Sequence, residues 1–221
     1  MCDSSVRRFV GRCIYGVQRE IAVRRFHSLE DDELVRVIVQ GGVGVLPTDT
    51  VYGLVCSAVD PKAVQELFSV KKRENNPGTV LAASLDQLVD LGLKARYLHA
   101  VEHFWPNPLS VIIPCGEDLT YLHMGKRSLA VRIPANQALL ELLKSTGPLM
   151  TTSANQPGEL PAQNYAEAFE YFGEAVDFYV DTGDTGAQTA STIIRIVDDA
   201  IEVVREGALK IDEAGRIVES V

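Results

Sequence analysis

The apolar residues of this chain come in short runs, and none approaches the roughly 20 residues needed to span a bilayer. Runs such as Leu109–Cys115 have the length of a β-strand, and stretches with helical spacing lie between them. Strands alternate with helices, and several neighbouring strands are placed to pair directly as hairpins. That order restricts the chain to an α/β domain around a twisted, mixed β-sheet flanked by helices. No internal repeat, low-complexity tract or linker interrupts residues 28–210. They are read as one domain, with 1–27 a basic N-terminal extension and 211–221 a C-terminal tail.

Local signals place the elements. Ser28 is positioned to cap a helix, with Asp31 three residues on in a box-like arrangement. Leu34, Val35 and Ile38 form the apolar face of that helix, and Gly41-Gly42 stops it. Val43–Leu46 reads as a buried strand, Pro47–Thr50 as a polar turn and Leu54–Val59 as a second strand. Asp60-Pro61 opens the next helix with proline at the first helical position. Its buried stripe is Ala63, Val64, Leu67 and Phe68, and it ends in Lys71-Lys72-Arg73. Further strands are expected at 79–83, 109–114, 129–133, 148–152, 177–181, 191–196 and 201–205. Helices are expected near 85–91, 94–104, 136–145 and 164–172.

Charge and reactive side chains narrow the function. The net formal charge is −9, yet residues 1–27 carry +4, leaving −13 on the remainder. An acidic body is a poor stand-alone nucleic-acid binder, because phosphate contacts dominate that affinity. The basic segment is open to several readings: a nucleic-acid arm, a targeting-like segment, a surface helix or an upstream extension. Cys2, Cys13, Cys56 and Cys115 form no CxxC pair and have no histidine at zinc spacing. Cys56 and Cys115 lie in apolar runs and read as small core residues, which suits a reducing cytoplasm. His99 and His103 share a helix face, and His27 and His123 stand apart, so no metal site is expected. There is no GxxxxGK[ST], no GxSxG around Ser153, and Gly42-Val-Gly44 precedes a strand rather than a helix.

What remains is a set of cations and short hydroxyl or amide donors where strands give way to loops. Thr48, Asp49 and Thr50 follow one strand, and Ser153 and Asn155 follow another. Ser191 and Thr192 begin a strand, and Arg132 sits inside one between Val131 and Ile133. Ligands of open α/β sheets bind in a cleft at strand ends. Arginine forks with hydroxyls suit polyanionic ligands and catalyse by positioning and charge neutralisation. Each group also has a purely structural reading. Lys71, Lys72 and Arg73 end a helix, where cations meet its dipole, and the threonines and Ser153 and Asn155 form or cap turns. Arg132 needs a partner if it is buried.

The octapeptide Pro47-Thr-Asp-Thr-Val-Tyr-Gly-Leu54 closely resembles the hallmark of the YrdC family of L-threonylcarbamoyladenylate synthases (TsaC-like). Other motifs follow in the family's order. Lys71-Lys72-Arg73 resembles its KxR element, and Phe104-Trp-Pro-Asn-Pro-Leu109 its FWPGPLT segment. Ala130–Pro134 matches AVRIP, Ser153-Ala-Asn155 matches SxN, and Ser191-Thr192 and Val204–Gly207 resemble its last two motifs.

The resemblance implies a YrdC-like fold and a defined chemistry. Threonylcarbamoyl-AMP and pyrophosphate are made from L-threonine, bicarbonate and ATP, with Mg²⁺ accompanying ATP. Partner components then transfer the group to tRNA. It implies that Thr50, Arg132, Ser153 and Ser191 contact threonine, with Arg132 on its carboxylate. It implies that Lys71, Arg73, Asn76, Ser128, Asn155, Gln163 and Arg205 lie along ATP. Lys71, Arg73 and Arg132 would carry the catalytic charge, and no protein nucleophile is needed.

The chain departs from the family pattern at Glu74, where proline is usual, and in a loop one residue short before Asn76. Leu81 stands where a threonine-contacting histidine is usual, and Ala190 where glutamate is usual. Two alternatives stay open: a YciO-like paralogue with weak or different activity, and a non-catalytic RNA-binding module.

Overall fold

The computed structural model describes residues 13–14, 17–18, 23–72, 76–184, 186, 189–198, 200–212 and 215–220. In chain order the first half comprises β1 (Cys13–Ile14), β2 (Val17–Gln18), β3 (Arg24–Phe26), α1 (Asp32–Val39), β4 (Gly44–Pro47), β5 (Tyr52–Ser57), α2 (Pro61–Val70), β6 (Thr79–Leu81), α3 (Leu85–Asp90) and α4 (Ala95–Val101). The second half comprises β7 (Leu109–Pro114), α5 (Thr120–His123), β8 (Ser128–Arg132), α6 (Gln137–Thr146), β9 (Leu149–Ser153), α7 (Tyr165–Phe172), β10 (Phe178–Val180), β11 (Thr192–Val197), β12 (Ala200–Arg205), β13 (Leu209–Ile211) and β14 (Ile217–Ser220).

Ten strands form one mixed sheet in the order β12-β11-β7-β8-β6-β9-β5-β4-β10-β3. β4/β5, β5/β9, β6/β9, β7/β8 and β11/β12 are antiparallel, and the remaining pairs are parallel. The expected mixed α/β architecture is therefore the one observed. Two boundaries differ from expectation. The sheet starts upstream of residue 28, because Arg24–Phe26 pairs in parallel with Phe178–Val180. The C-terminal residues form a β13–β14 hairpin, tied back where Thr192 Oγ1 accepts the Leu209 N–H at 3.0 Å.

The helix ends follow short polar side chains. Asp60 caps α2 as expected, accepting from the Lys62 and Ala63 amides. The cap of α1 is Asp31, which accepts from Glu33 N, and not Ser28, whose hydroxyl accepts the Glu30 amide. A bare carboxylate adjoining the first turn outcompetes a serine three residues upstream, since it also meets the helix dipole.

Strand alternation splits the core between the two faces. Val45 and Leu54 join a large cluster packed by α2, α3, α4, α5 and α7. Leu46 and Val55, their neighbours in sequence, join a smaller cluster with Leu34 and Ile38 of α1 and Leu139 and Leu143 of α6. A Cβ on Gly44 would lie 2.4 Å from the Phe178 ring, so only glycine lets β4 and β10 pack here. The strand residues of the smaller cluster come from β3, β10, β4, β5, β9 and β6. β8, β7, β11 and β12 contribute none. Among the described residues, that face of these strands is left open.

Candidate active site

The open part of the sheet forms the floor of a cleft of about 610 Å³. Register places the floor residues on one face. Arg132 pairs with Leu81 of the smaller cluster, so Arg132, Ala130 and Ser128 share that cluster's side of the sheet. Ile112 of β7 pairs with Ala130 and also faces the cleft. Ile193 and Arg195 of β11 continue the floor. The border with the covered part runs through two strands. Leu81 and Leu149 pack under helices, while Thr79 on β6 and Thr151 and Ser153 on β9 line the cleft. The cleft thus lies across an open sheet face, reaching beyond the strand ends.

The turn after β4 forms one wall. Thr48 Oγ1 donates to Val51 O (2.7 Å), accepts the Thr50 N–H (3.2 Å) and lies 3.1 Å from Thr50 Oγ1. These contacts give Thr48 and Thr50 the turn-forming role read from the sequence, and both also line the cleft. Arg132 Nη2 lies 3.4 Å from Thr50 Oγ1 and 2.9 Å from Asp49 Oδ1. The two charged side chains are only 4% and 5% exposed. Their ion pair is close but out of line for a hydrogen bond: Arg132 Nε and Asp49 Oδ1 are both buried without a hydrogen-bond partner. Burial pushes the Arg132 guanidinium down, and Asp49 opposes that shift.

A further arginine reaches the cleft from β12. Arg205 donates to Ser191 O through Nε (3.1 Å) and Nη2 (2.6 Å), and to Ser191 Oγ at 3.0 Å. Ser191 Oγ also lies 3.1 Å from the buried Ser110 Oγ. Gly207 permits this return of the chain, since a Cβ there would lie 2.2 Å from Ala190 O. Arg205 as a residue is exposed, but its guanidinium end is tucked against Ser191. That local burial, and then the charge of Arg132, push its pKa down. Two arginines that repel each other across a cleft lower their mutual cost when an anion lies between them.

Lys71 behaves differently from a solvated helix end. It is buried, and its ammonium donates to Ser153 O (2.7 Å), Asn155 O and Asn155 Oδ1 (2.6 Å). Ser153 Oγ donates to the same Asn155 Oδ1 at 2.6 Å. Lys71 therefore holds the turn that presents Ser153 to the cleft.

Of the residues singled out from sequence, Thr50, Asn76, Ser128, Arg132, Ser153, Ser191 and Arg205 line one cleft. Lys71 and Asn155 stand behind Ser153. Gln163 does not line the cleft, and its backbone N–H donates to Glu167 at 2.9 Å. Arg73 and Glu74 lie outside the described residues. Leu81 is fully buried in the smaller cluster and does not line the cleft.

Sequence reasoning passed over Lys126, an exposed cation on the cleft rim, and the buried His123 that shapes its loop. His123 Nδ1 accepts from Gly125 N (3.1 Å) and Arg127 N (3.2 Å), and its other nitrogen lies 3.1 Å from Gly116 O. No motif marked either residue. As expected, Cys56 is a buried core residue; Cys115 is partly buried, and burial pushes its thiol up to about 11. Among the described residues, no group of three His, Cys, Asp or Glu is placed to hold a metal. No helix among them is long and apolar enough to cross a membrane.

A mixed α/β domain with three arginines and a ring of hydroxyls on an open sheet face has the chemistry suited to small polyanions. The Sua5/YciO/YrdC family model, described as telomere recombination, matches residues 36–207, and the chain belongs to that family. Threonylcarbamoyl-AMP synthase of Idiomarina loihiensis is 32% identical over 176 residues, covering 76% of this chain and 95% of the relative. Threonylcarbamoyl-AMP synthase of Pyrococcus abyssi is 30% identical over 187 residues, and the match spans 82% of this chain but 55% of that protein. The crystal structure of P. abyssi Sua5 complexed with L-threonine superposes with a TM-score of 0.74 at 28% identity, covering 85% of this chain and 58% of that one. E. coli YciO shares the fold, with a TM-score of 0.72 at 23% identity over 84% of this chain and 96% of that one.

Proposed function

We propose that this chain is an L-threonylcarbamoyladenylate synthase, a nucleotidyltransferase acting in tRNA modification. The observation that carries the reading is the single cleft in which Thr50, Arg132, Ser153 and Ser191 meet Ser128, Asn76 and Arg205. Relatives named for the same product support it, as does the threonine-bound Sua5 structure.

In this reading the Arg132 guanidinium receives the threonine carboxylate, and Thr50, Ser153 and Ser191 bound the amino acid. The threonine amine attacks bicarbonate, giving a carbamate and releasing water. The carbamate oxygen then attacks the α-phosphorus of ATP, and the bond to the β-phosphate oxygen breaks to release pyrophosphate. Negative charge builds on phosphate oxygens, so fixed cations and N–H or O–H donors lower the barrier by electrostatic preorganisation. Arg205, Ser128 and Asn76 are the cleft residues placed for that work, with Arg73 assigned to it on its motif. Lys71 and Asn155 act by holding Ser153. Mg²⁺ enters as part of the nucleotide substrate. Among the described residues the cleft lining contains no carboxylate, the ligand this cation usually takes from proteins, so the triphosphate oxygens would carry it. Transfer onward to tRNA falls to partner components.

The test is pyrophosphate release from purified protein with ATP, Mg²⁺, bicarbonate and L-threonine. Release should fall to background when either threonine or bicarbonate is omitted. Absence of threonine-dependent release, where a known synthase works, would overturn the reading and favour a YciO-like activity.

A further inference from the structure

We propose that Asp49 is a positioning residue for Arg132, fixing the rotation of the guanidinium that sets Nη2 beside Thr50 on the cleft wall. This rests on the reading that Arg132 receives the substrate carboxylate. Asp49 belongs to the turn after β4 and Arg132 to β8, and β6, β9 and β5 lie between those strands in the sheet. The 2.9 Å contact therefore joins parts of the chain that no strand pairing brings together. The same carboxylate accepts the Ala135 N–H at 3.4 Å through Oδ2, just beyond the end of β8. Asp49 thus grips both the Arg132 side chain and the backbone that follows it.

The donors of the fork are unevenly used. Nη2 faces Asp49 and Thr50, whereas Nε is buried with no partner. Buried N–H groups are rarely left so, because an unmet donor costs free energy. Asp49 keeps the fork from rotating about its Nε–Cζ bond, which holds Nη2 against Thr50 at the cleft. The carboxylate also acts as a counter-ion for a nearly inaccessible guanidinium, whose burial without one would be costly. Asp49 has an opposing effect too, since its charge competes with a substrate carboxylate for the same cation. The positioning role requires that orientation outweigh this competition.

The Asp49→Asn variant separates the two effects, being close in shape while losing the charge. Positioning predicts a threonine KM raised about 10- to 100-fold, the effect of a misplaced charge-assisted contact, with the ATP KM within about twofold. A merely structural role would lower the melting temperature and leave the threonine KM alone. A tighter threonine KM would also overturn the proposal, by showing that Asp49 only competes.

A second measurement uses the ligand-free wild type and needs neither substrate nor a change at Asp49. Arginine side-chain NMR, with Arg132 assigned through its loss in Arg132→Lys, reports rotation about its Nε–Cζ bond. Distinct Nη signals are expected for a held guanidinium, and averaged signals would refute the proposal even if Asp49→Asn does not fold. If the wild type shows no threonine dependence, the functional reading fails, while averaged Nη signals would still refute the holding of Arg132 by Asp49.

Discussion

One face of the sheet carries two regions with opposite fates. Under α1 and α6, the strand residues on that face are Leu46, Val55, Leu81, Leu149, Phe178 and Val180, all buried. Further along the same face, past β6 and β9, the corresponding positions are Ser110, Ile112, Ser128, Ala130, Arg132, Ser191, Ile193 and Arg195, where serines and arginines interrupt the apolar run. The backbone pairing and two-residue alternation are the same in both regions. The other side of the sheet is equally apolar beneath both, with Leu54 in one region and Val111, Val131 and Ile194 in the other. The choice between core and site therefore rests on side chains at every second position. Apolar groups recruit helices by burial, whereas short hydroxyls and arginines leave a floor open to a ligand.

Three substitutions press on this contrast. The largest effect is expected for Arg132→Ala, which removes the central charge of the open region. Threonine-dependent turnover should fall at least about 100-fold, as for loss of a preorganised charge contact. Stability should fall by about 3–5 kcal/mol, because Asp49 is left buried and unpaired. Steady-state kinetics and urea unfolding measure the two losses, and near-wild-type values in both would break the division drawn here.

Leu81→His comes next. It would place an imidazole under the helices rather than in the cleft, costing about 1–3 kcal/mol for a buried polar group. Thermal unfolding should show the loss with no fall in threonine KM. A lower KM would mean that position 81 reaches the substrate after all.

The smallest effect is expected for Lys126→Ala. Its ammonium has no partner among the described residues, so stability should stay within about 0.5 kcal/mol. Nucleotide affinity should weaken a few-fold at low salt, and the difference should shrink as salt rises. Titrations at two ionic strengths check it.

Much of this was legible in the residues themselves. Asp60-Pro61 announced α2, the apolar runs located most strands, and a buried strand arginine called for a counter-charge, which Asp49 supplies. The failures have physical causes. β3 is three residues long, and only Phe26 is buried, so Arg24-Arg25-Phe26 reads as part of a basic segment until parallel pairing with β10 completes it. Lys71 looked like a solvated helix end because its acceptors, Ser153 O and Asn155 O, are more than 80 residues away in sequence. His123 read only as standing apart from any metal spacing, because its partners are backbone groups that no motif encodes. Motifs found the cleft residues, but only the sheet order showed which face they share.

The alternation along β8 carries a further consequence. Substitutions at Ser128, Ala130 or Arg132 change the ligand surface and leave Leu129 and Val131 in the core. A deletion or insertion of one residue within Ser128–Arg132 would instead exchange the two sets, sending valine and leucine into the cleft and arginine into the apolar interior. The site is thus open to gradual chemical revision by point change, while its reading frame along the strand is closed to any single-residue edit.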